Sequence, residues 1–439
     1  MKRLTLSRRK FLEDSILSFA ASPLAAGCRG RSQNPDSNLH ETGNPEIRAS
    51  GNSLRYKGLF MHAWDLHDDG VDEVMGWMRD TGLNAMCLAA TYHSGWFVHA
   101  NNTRHRGFMT EGSVCYFPWH DEFYHKTKLR PVSSRLAERS DWFAEAGHRL
   151  DKYDLKLVSW TIGTHNTRLG LEHPEHTQRN VYGDSLPHAL CPADDDVREY
   201  LKALCRDLVV HYPLSGLQLE SFGWSRFSHG HHHERDLTFL TPLEQNLMAL
   251  CFCSSCQSKA SAAGVDVVRV REVVKAILDA AIREAPGRPK GHPQAMADLE
   301  EKSVEVGKFI GWRETEAVSL IRDIKQESLK GTNCRLLLQT GYRAGLAAAA
   351  DGFACSAYGK SPIETLEICR VGSRAVPSEW KGEFNCYIRL GLGVPRDAAE
   401  LRGIVEAVRD GGCDGIAFYN RSESPPKMLS WIRNALDGI

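Results

Sequence analysis

Gly216-Leu217-Gln218-Leu219-Glu220 decides how this chain reads. Leucine alternates with a polar residue, the period of an extended strand whose side chains face opposite sides of a sheet. If that sheet closes into a barrel wrapped by helices, Leu217 and Leu219 face the helices. Gln218 and Glu220 then face the interior, with Glu220 at the strand's end. Burial raises the pKa of such a carboxyl group, which prepares it to act as a general acid. The competing reading is an ion pair between Glu220 and Arg389, which lies on a later strand.

Outward from this stretch, short apolar runs alternate with segments of helical spacing. Strands are predicted at 56–64, 84–90, 156–162, 216–222, 334–340, 352–357, 384–390 and 415–419. Helices are predicted at 71–80, 134–153, 195–210, 267–284, 296–329, 362–371, 397–410 and 427–436. Eight strand–helix units, beginning with a strand and ending with a helix, predict an α/β fold, the (β/α)8 TIM barrel. An open doubly wound sheet is the alternative, but no Gly-x-Gly-x-x-Gly turn follows the first strand. The connections after strands two, three and four are long and the returns from helix to strand short, as at Thr81-Gly82-Leu83. Barrel enzymes build their sites from the loops that follow the strands, so the long loops mark the working face.

Polar and aromatic residues gather at those strand ends: His62, Trp64, Asp65, Tyr92, His93, Trp160, His165, Asn166, Gln218, Gln339, Tyr358, Arg389, Tyr419 and Asn420. Aromatic faces beside amide, imidazole and guanidinium donors suit a sugar, which has apolar faces and hydroxylated edges. In the insertion after strand four, His231 and His232 are expected to line the same pocket. Adjacent histidines do not converge on one ion, so a catalytic metal at His231-His232-His233 is disfavoured.

Cys251-Phe252-Cys253-Ser254-Ser255-Cys256 brings three thiols within one short stretch, enough to hold a tetrahedral zinc if a fourth ligand arrives from elsewhere. Cys115, Cys191 and the histidines at 229 and 231–233 are candidates, and the spacing does not choose among them. A disulfide plus a free thiol, or simple buried thiols, are the alternatives. A zinc here would be structural, and no organic cofactor is expected. Of the 13 cysteines, Cys87, Cys205, Cys355, Cys386 and Cys413 each lie in an apolar run and read as isolated buried thiols.

Lys+Arg 54 against Asp+Glu 55 gives a formal net charge of −1, which leaves no basic excess for nucleic acid. With 42% hydrophobic and 25% charged residues among 439, the composition is that of a globular chain. Ser7-Arg8-Arg9-Lys10-Phe11-Leu12 matches the twin-arginine export pattern, and Ala25-Ala26-Gly27-Cys28 has the form of a lipoprotein cleavage site. The expected organisation is a signal over 1–28, with Cys28 a candidate lipid anchor, a Ser/Asn/Gly-rich tether over 29–54, and the barrel over 55–439. The expected location is periplasmic, or tethered to the membrane on its outer side.

With Glu220 at the fourth strand, the chain resembles the glycoside hydrolase superfamily of (β/α)8 barrels. More closely it resembles a group of exported bacterial glycoside-hydrolase-like barrels. The matching stretches are Thr164-His165-Asn166-Thr167-Arg168-Leu169-Gly170, Leu190-Cys191-Pro192 with Asp196-Val197-Arg198, His229-Gly230-His231-His232-His233-Glu234, Cys251-Phe252-Cys253-x-x-Cys256 and Asp414-Gly415-Ile416-Ala417-Phe418-Tyr419-Asn420. The cysteine insertion is also similar to that of zinc-carrying β-galactosidases. The resemblance implies hydrolysis of a glycosidic bond in a polysaccharide or glycoconjugate, with Glu220 as acid/base. Retaining members carry a second Glu at the end of strand seven. Here that strand has no acid at its far end, and Glu383 stands at the opposite one. Asp65 is therefore the expected second carboxylate, with Asp184 and Glu234 behind it. The rival readings are a non-catalytic carbohydrate-binding barrel and a metal-assisted sugar isomerase or deacetylase.

Overall fold

The computed structural model describes residues 53–102, 104–227, 240–391 and 393–439. The export motif, Cys28, nearly all of the tether, the histidines at 229 and 231–233, and Glu234 lie outside the described residues.

Eight parallel strands form a closed ring in chain order: β1 (Tyr56–Met61), β2 (Ala85–Ala89), β3 (Lys156–Ile162), β4 (Leu214–Glu220), β5 (Arg335–Leu338), β6 (Gly352–Ser356), β7 (Glu383–Arg389) and β8 (Gly415–Tyr419). Closure is made by β1, which pairs with both β2 (Gly58 opposite Ala85) and β8 (Tyr56 opposite Gly415). The strands are legible as apolar runs because helices cover their outer faces while side chains fill the interior. The helices are α1 (Ala63–Asp69), α2 (Val71–Asp80), α3 (Trp142–Gly147), α4 (Leu150–Tyr153), α5 (Thr167–Glu172), α6 (Asp195–His211), α7 (Pro242–Met248), α8 (Ser254–Ala262), α9 (Val267–Glu284), α10 (Met296–Lys302), α11 (Val304–Asp323), α12 (Pro362–Arg374), α13 (Ala398–Asp410) and α14 (Pro426–Leu436).

The expected (β/α)8 architecture is present, and the segments after β2, β3 and β4 are the long ones. After β2 come two small hairpin-like pairings, one joining Trp96–Val98 to Gly107–Met109 and one joining Thr91–Tyr92 to Val114–Cys115. After β3 a further pairing joins Thr177–Arg179 to Ser185–Leu190. Between β4 and β5, helices α7 to α11 enclose a core of their own around Leu243, Val270, Phe309 and Trp312.

Three local readings are corrected. The first strand ends at Met61, and Trp64 and Asp65 lie on α1. Asp65 at the third helical position accepts from the His62 backbone N–H at 2.9 Å, a capping interaction that starts a helix where the apolar run continues. The predicted helix over 134–153 is two short helices, α3 and α4. The predicted helix over 296–329 breaks at Ser303, whose hydroxyl caps α11 by accepting from Val306 N.

The barrel interior beneath its mouth is aromatic. Phe60 meets Trp160 edge-on at 5.2 Å and Tyr387 at 5.1 Å, and lies 5.7 Å from Tyr419. Such pairs contribute about 0.5–1.5 kcal/mol each beyond area burial. Gln218 points inward and accepts from the Tyr387 hydroxyl across the barrel at 2.5 Å. Leu217 and Leu219 are buried on the other face, as the alternation predicts.

Candidate active site and metal centre

Glu220 is the last residue of β4, at the end of the barrel where the long loops gather. Its backbone is pinned from β3. Gly163 N–H donates to the Glu220 carbonyl at 3.0 Å, and the Thr164 N–H and hydroxyl both donate to the Ser221 carbonyl at 2.7 Å. Ser221 has φ +56°, a left-handed conformation that a non-glycine residue holds only when its surroundings impose it. The carboxylate Oε2 accepts from Trp160 Nε1 at 2.7 Å. Burial raises the Glu220 pKa, and the Trp160 hydrogen bond, which favours the charged form, partly opposes the rise. Among the described residues Glu220 has no ion pair.

Arg389 binds a different acid. Its Nη2 meets Glu423 Oε2 at 2.6 Å, and Asn420 Nδ2 donates to Glu423 Oε1 at 2.8 Å. Asn420 Oδ1 in turn accepts from the Glu423 backbone N–H at 3.0 Å. The Arg389–Glu220 ion pair considered from the sequence is therefore not formed. Glu423 follows β8 in the polar loop Arg421-Ser422-Glu423-Ser424, where no periodic signal singles it out. It belongs to the same rim as Glu220. After burial, the charges of Glu423 and then Glu220 push up the Tyr92 hydroxyl pKa, and both acids contribute to the same shift at Tyr419. The Tyr92 and Tyr419 hydroxyls are 3.0 Å apart.

Several of the predicted rim residues converge on Glu220. Trp160 stands 5.1 Å from Tyr92 and 5.5 Å from Tyr419, Tyr358 lies 5.7 Å from Tyr419, and the Arg389 guanidinium lies 5.7 Å from the Tyr419 ring centre. His62 is buried between Trp64, stacked at 4.0 Å, and Trp160 at 5.2 Å. Burial holds its pKa well below the usual imidazole range, and His99 and His93 add to that. His93 stacks on Tyr92 at 4.5 Å and on His165 at 4.4 Å. Gln339 follows β5, its backbone N–H bonded to the Leu219 carbonyl at 3.2 Å.

Other predicted residues serve the scaffold. Trp64 is buried beside Phe108 and Tyr116 and donates to the Ser422 hydroxyl at 2.9 Å. Asn166 caps α5 by accepting from Leu169 N at 3.0 Å. Asp65 is 1% exposed, and its oxygens receive Ser422 Oγ at 2.7 Å, the His62 N–H and Arg421 Nη1 at 3.3 Å. That arrangement joins α1 to the loop after β8. Asp184 is exposed between Arg179 and Ser185, where it accepts from Asn180 Nδ2 at 2.9 Å. Glu383 stands at the opposite end of β7, paired with Arg335 at 2.6 Å.

The structure selects the fourth cysteine. Cys191 Sγ lies 3.4 Å from Cys256 Sγ, 3.5 Å from Cys253 Sγ and 3.9 Å from Cys251 Sγ, and all four thiols are buried. Zinc–thiolate bonds of about 2.3 Å place tetrahedral sulfurs about 3.8 Å apart, so the donor set fits a zinc ion. Cys253 begins α8, its Sγ accepting from Cys256 N, and Cys191 comes from the segment after β3. Arg313 on α11 is the neighbouring cation: burial lowers its pKa, while Cys256, Cys251 and Cys191 act to raise it. With four protein thiols already present, such an ion has no open position for a substrate. Cys115 lies elsewhere, 3.5 Å from the Phe117 carbonyl.

No family model matches the chain, and no curated protein matches it. Among solved structures, α-L-fucosidase isoenzyme 2 from Paenibacillus thiaminolyticus is 13% identical, with a TM-score of 0.48 over 87% of this chain and 49% of that one. The chain thus spans about half of that structure's length. The catalytic domain of β-amylase from Paenibacillus polymyxa is 10% identical, with a TM-score of 0.48 over 87% of this chain and 97% of that one. The PgaB (BpsB) glycoside hydrolase domain from Bordetella bronchiseptica is 11% identical, with a TM-score of 0.49 over 87% and 98% of the two chains. The architecture itself rests on the closed sheet.

Proposed function

We propose that this protein hydrolyses a glycosidic bond, with Glu220 as the general acid. The observation that carries the reading is the state of that carboxyl: at the end of β4, raised by burial, held by Trp160 and faced by Tyr92, Tyr358 and Tyr419. In its protonated form, a carboxyl beside aromatic faces can donate its proton to a leaving glycosidic oxygen while the sugar ring lies on an apolar wall. Glu423 replaces Asp65 as the second carboxylate in this proposal. Its charge, like that of Glu220, acts on the Tyr92 and Tyr419 hydroxyls, whereas two bonds to Asp65 hold α1 to the loop after β8 and a third caps α1. Arg389 and Asn420 orient Glu423 towards stabilising an oxocarbenium-like state or activating water.

The test is turnover of a panel of activated aryl glycosides and natural oligosaccharides. Glu220→Gln is expected to lower kcat by about 10²–10⁴-fold with an unchanged circular dichroism spectrum. Full activity in that variant removes the assignment. Glycan binding by calorimetry without product from any substrate favours the carbohydrate-binding reading instead.

The proposal extends to the remaining expectations. Zinc at Cys191, Cys251, Cys253 and Cys256 is structural, with four thiolates joining the β4–β5 excursion to the segment after β3. Export follows the twin-arginine route, with Cys28 as lipid anchor; Arg8→Lys with Arg9→Lys is expected to retain the protein in the cytoplasmic fraction. Among the described residues no helix is long and apolar enough to cross a membrane.

A further inference from the structure

Four thiols that the sequence scatters through separate apolar runs converge far from Cys191. Cys355 is on β6, Cys386 is its register partner on β7, Cys369 is on α12, and Cys413 lies in the turn between α13 and β8. Tyr387 points into the barrel towards Gln218, so alternation turns Cys386 and its partner Cys355 outward to the helices. The Sγ atoms of Cys355, Cys369 and Cys413 lie within 4.8 Å of one another. Cys386 stands beside them on the same outward face, as the register partner of Cys355. The turn reaches the helix because Gly411 is bare: a Cβ there would sit 2.3 Å from the Cys369 Cβ.

We propose that Cys355, Cys369, Cys386 and Cys413 form a second zinc site, structural like the first and independent of it. The donor set is four soft sulfurs with no oxygen or imidazole among them, the combination that selects zinc over harder divalent ions. The three sulfurs within 4.8 Å of one another suit a single tetrahedral ion with Cys386 closing in as the fourth ligand; a four-iron cluster holds its thiolates further apart around several metals. Seven of the 12 described cysteines fall into two clusters whose sulfurs lie within 4.8 Å of one another, and Cys386 adjoins the second as the register partner of Cys355, which isolated packing of small apolar side chains does not produce. Entry is available, since Cys369, Cys386 and Cys413 are buried while Cys355 is only half-buried. Beside it, β5 is followed by nothing longer than a single 3-10 turn, Ala344–Leu346. On binding, the four thiols release their protons to solvent and a dianionic zinc tetrathiolate remains. The ion would tie β6, α12, β7 and the start of β8 together, the sector that carries Tyr387, Arg389 and Tyr419.

The experiment is metal analysis of the full-length protein purified without chelator, with anomalous scattering at the zinc edge from its crystals. Wild type is expected to hold about two zinc ions per chain, and Cys369→Ser with Cys413→Ser about one. Cys191→Ser with Cys253→Ser is likewise expected to hold about one, and to keep the anomalous peak among Cys355, Cys369, Cys386 and Cys413. The proposal is overturned by about one ion per chain in wild type with no peak at this quartet. It is equally overturned if intact mass falls by about 2 Da per S–S bond and peptide mapping places disulfides among these four cysteines. If either double variant fails to fold, the wild-type stoichiometry and anomalous peak decide the matter alone. None of these readouts depends on the reading of Glu220.

Discussion

Two opposed effects tune the proposed acid, burial being the larger and one hydrogen bond working against it. Trp160 Nε1 stabilises the charged form of Glu220 against a burial effect that favours the neutral one. Trp160→Phe removes the donor and keeps an aromatic ring, so the Glu220 pKa should rise further. A general acid works while protonated, so activity falls as pH rises through its pKa. The variant's alkaline limb of kcat/KM should therefore move to higher pH, which a pH–rate profile on an aryl glycoside will show. Asp65 and Glu423 can be told apart at the same scale. Asp65→Asn is expected to lower the urea midpoint by an amount equivalent to about 2–4 kcal/mol, because it weakens a buried network shared with Arg421, Ser422 and the His62 N–H. The folded fraction should keep kcat within about threefold. Glu423→Gln should do the reverse, lowering kcat by about 10²-fold or more with little change in midpoint. A catalytic role for Asp65 would interchange these results.

At the scale of elements, close approach explains residues that composition leaves unremarkable. Gly170 on α5 faces Pro187, and a Cβ there would lie 1.9 Å from the Pro187 carbonyl oxygen. Backbone cannot yield as a flexible side chain can. Gly170→Ala should cost about 3 kcal/mol or more, measured by urea denaturation, and disturb the segment that positions His165 and Asn166. The element pattern was largely visible beforehand: strands 156–162 and 415–419 have the predicted bounds, and the other six agree to within a few residues. Buried parallel strands are continuous apolar runs, and Pro362 with its Ser361 cap, or Asp194 before α6, marks a helix start. Helix α1 was not visible, because the apolar run continues through Ala63 and Trp64, and the Asp65 carboxylate that caps the helix is held by Arg421 and Ser422, more than 350 residues away.

For the whole molecule, the excursion between β4 and β5 has its own apolar core, and the Cys191 quartet joins that core to the barrel. Cys191→Ser with Cys253→Ser, which removes that site and leaves the second one intact, should expose residues 240–334 to limited proteolysis first, while the far-UV signal of the barrel persists. Loss of turnover should follow the loss of that segment's protection, because a closed tetrathiolate site offers no position to substrate.

The sequence alone determined the eight repeating units, the ring they close and the acid at the end of β4, since each follows from a local period of side chains. It also exposed three of the four cysteines in the first quartet, because they are neighbours in the chain. Tertiary structure decided everything that depends on segments meeting: that Cys191 completes that quartet, that Arg389 binds Glu423 and leaves Glu220 free of it, and that Cys355, Cys369 and Cys413 come within 4.8 Å of one another beside Cys386. Periodicity records which face a residue occupies, but partners separated by tens to hundreds of residues are chosen only when the sheet closes.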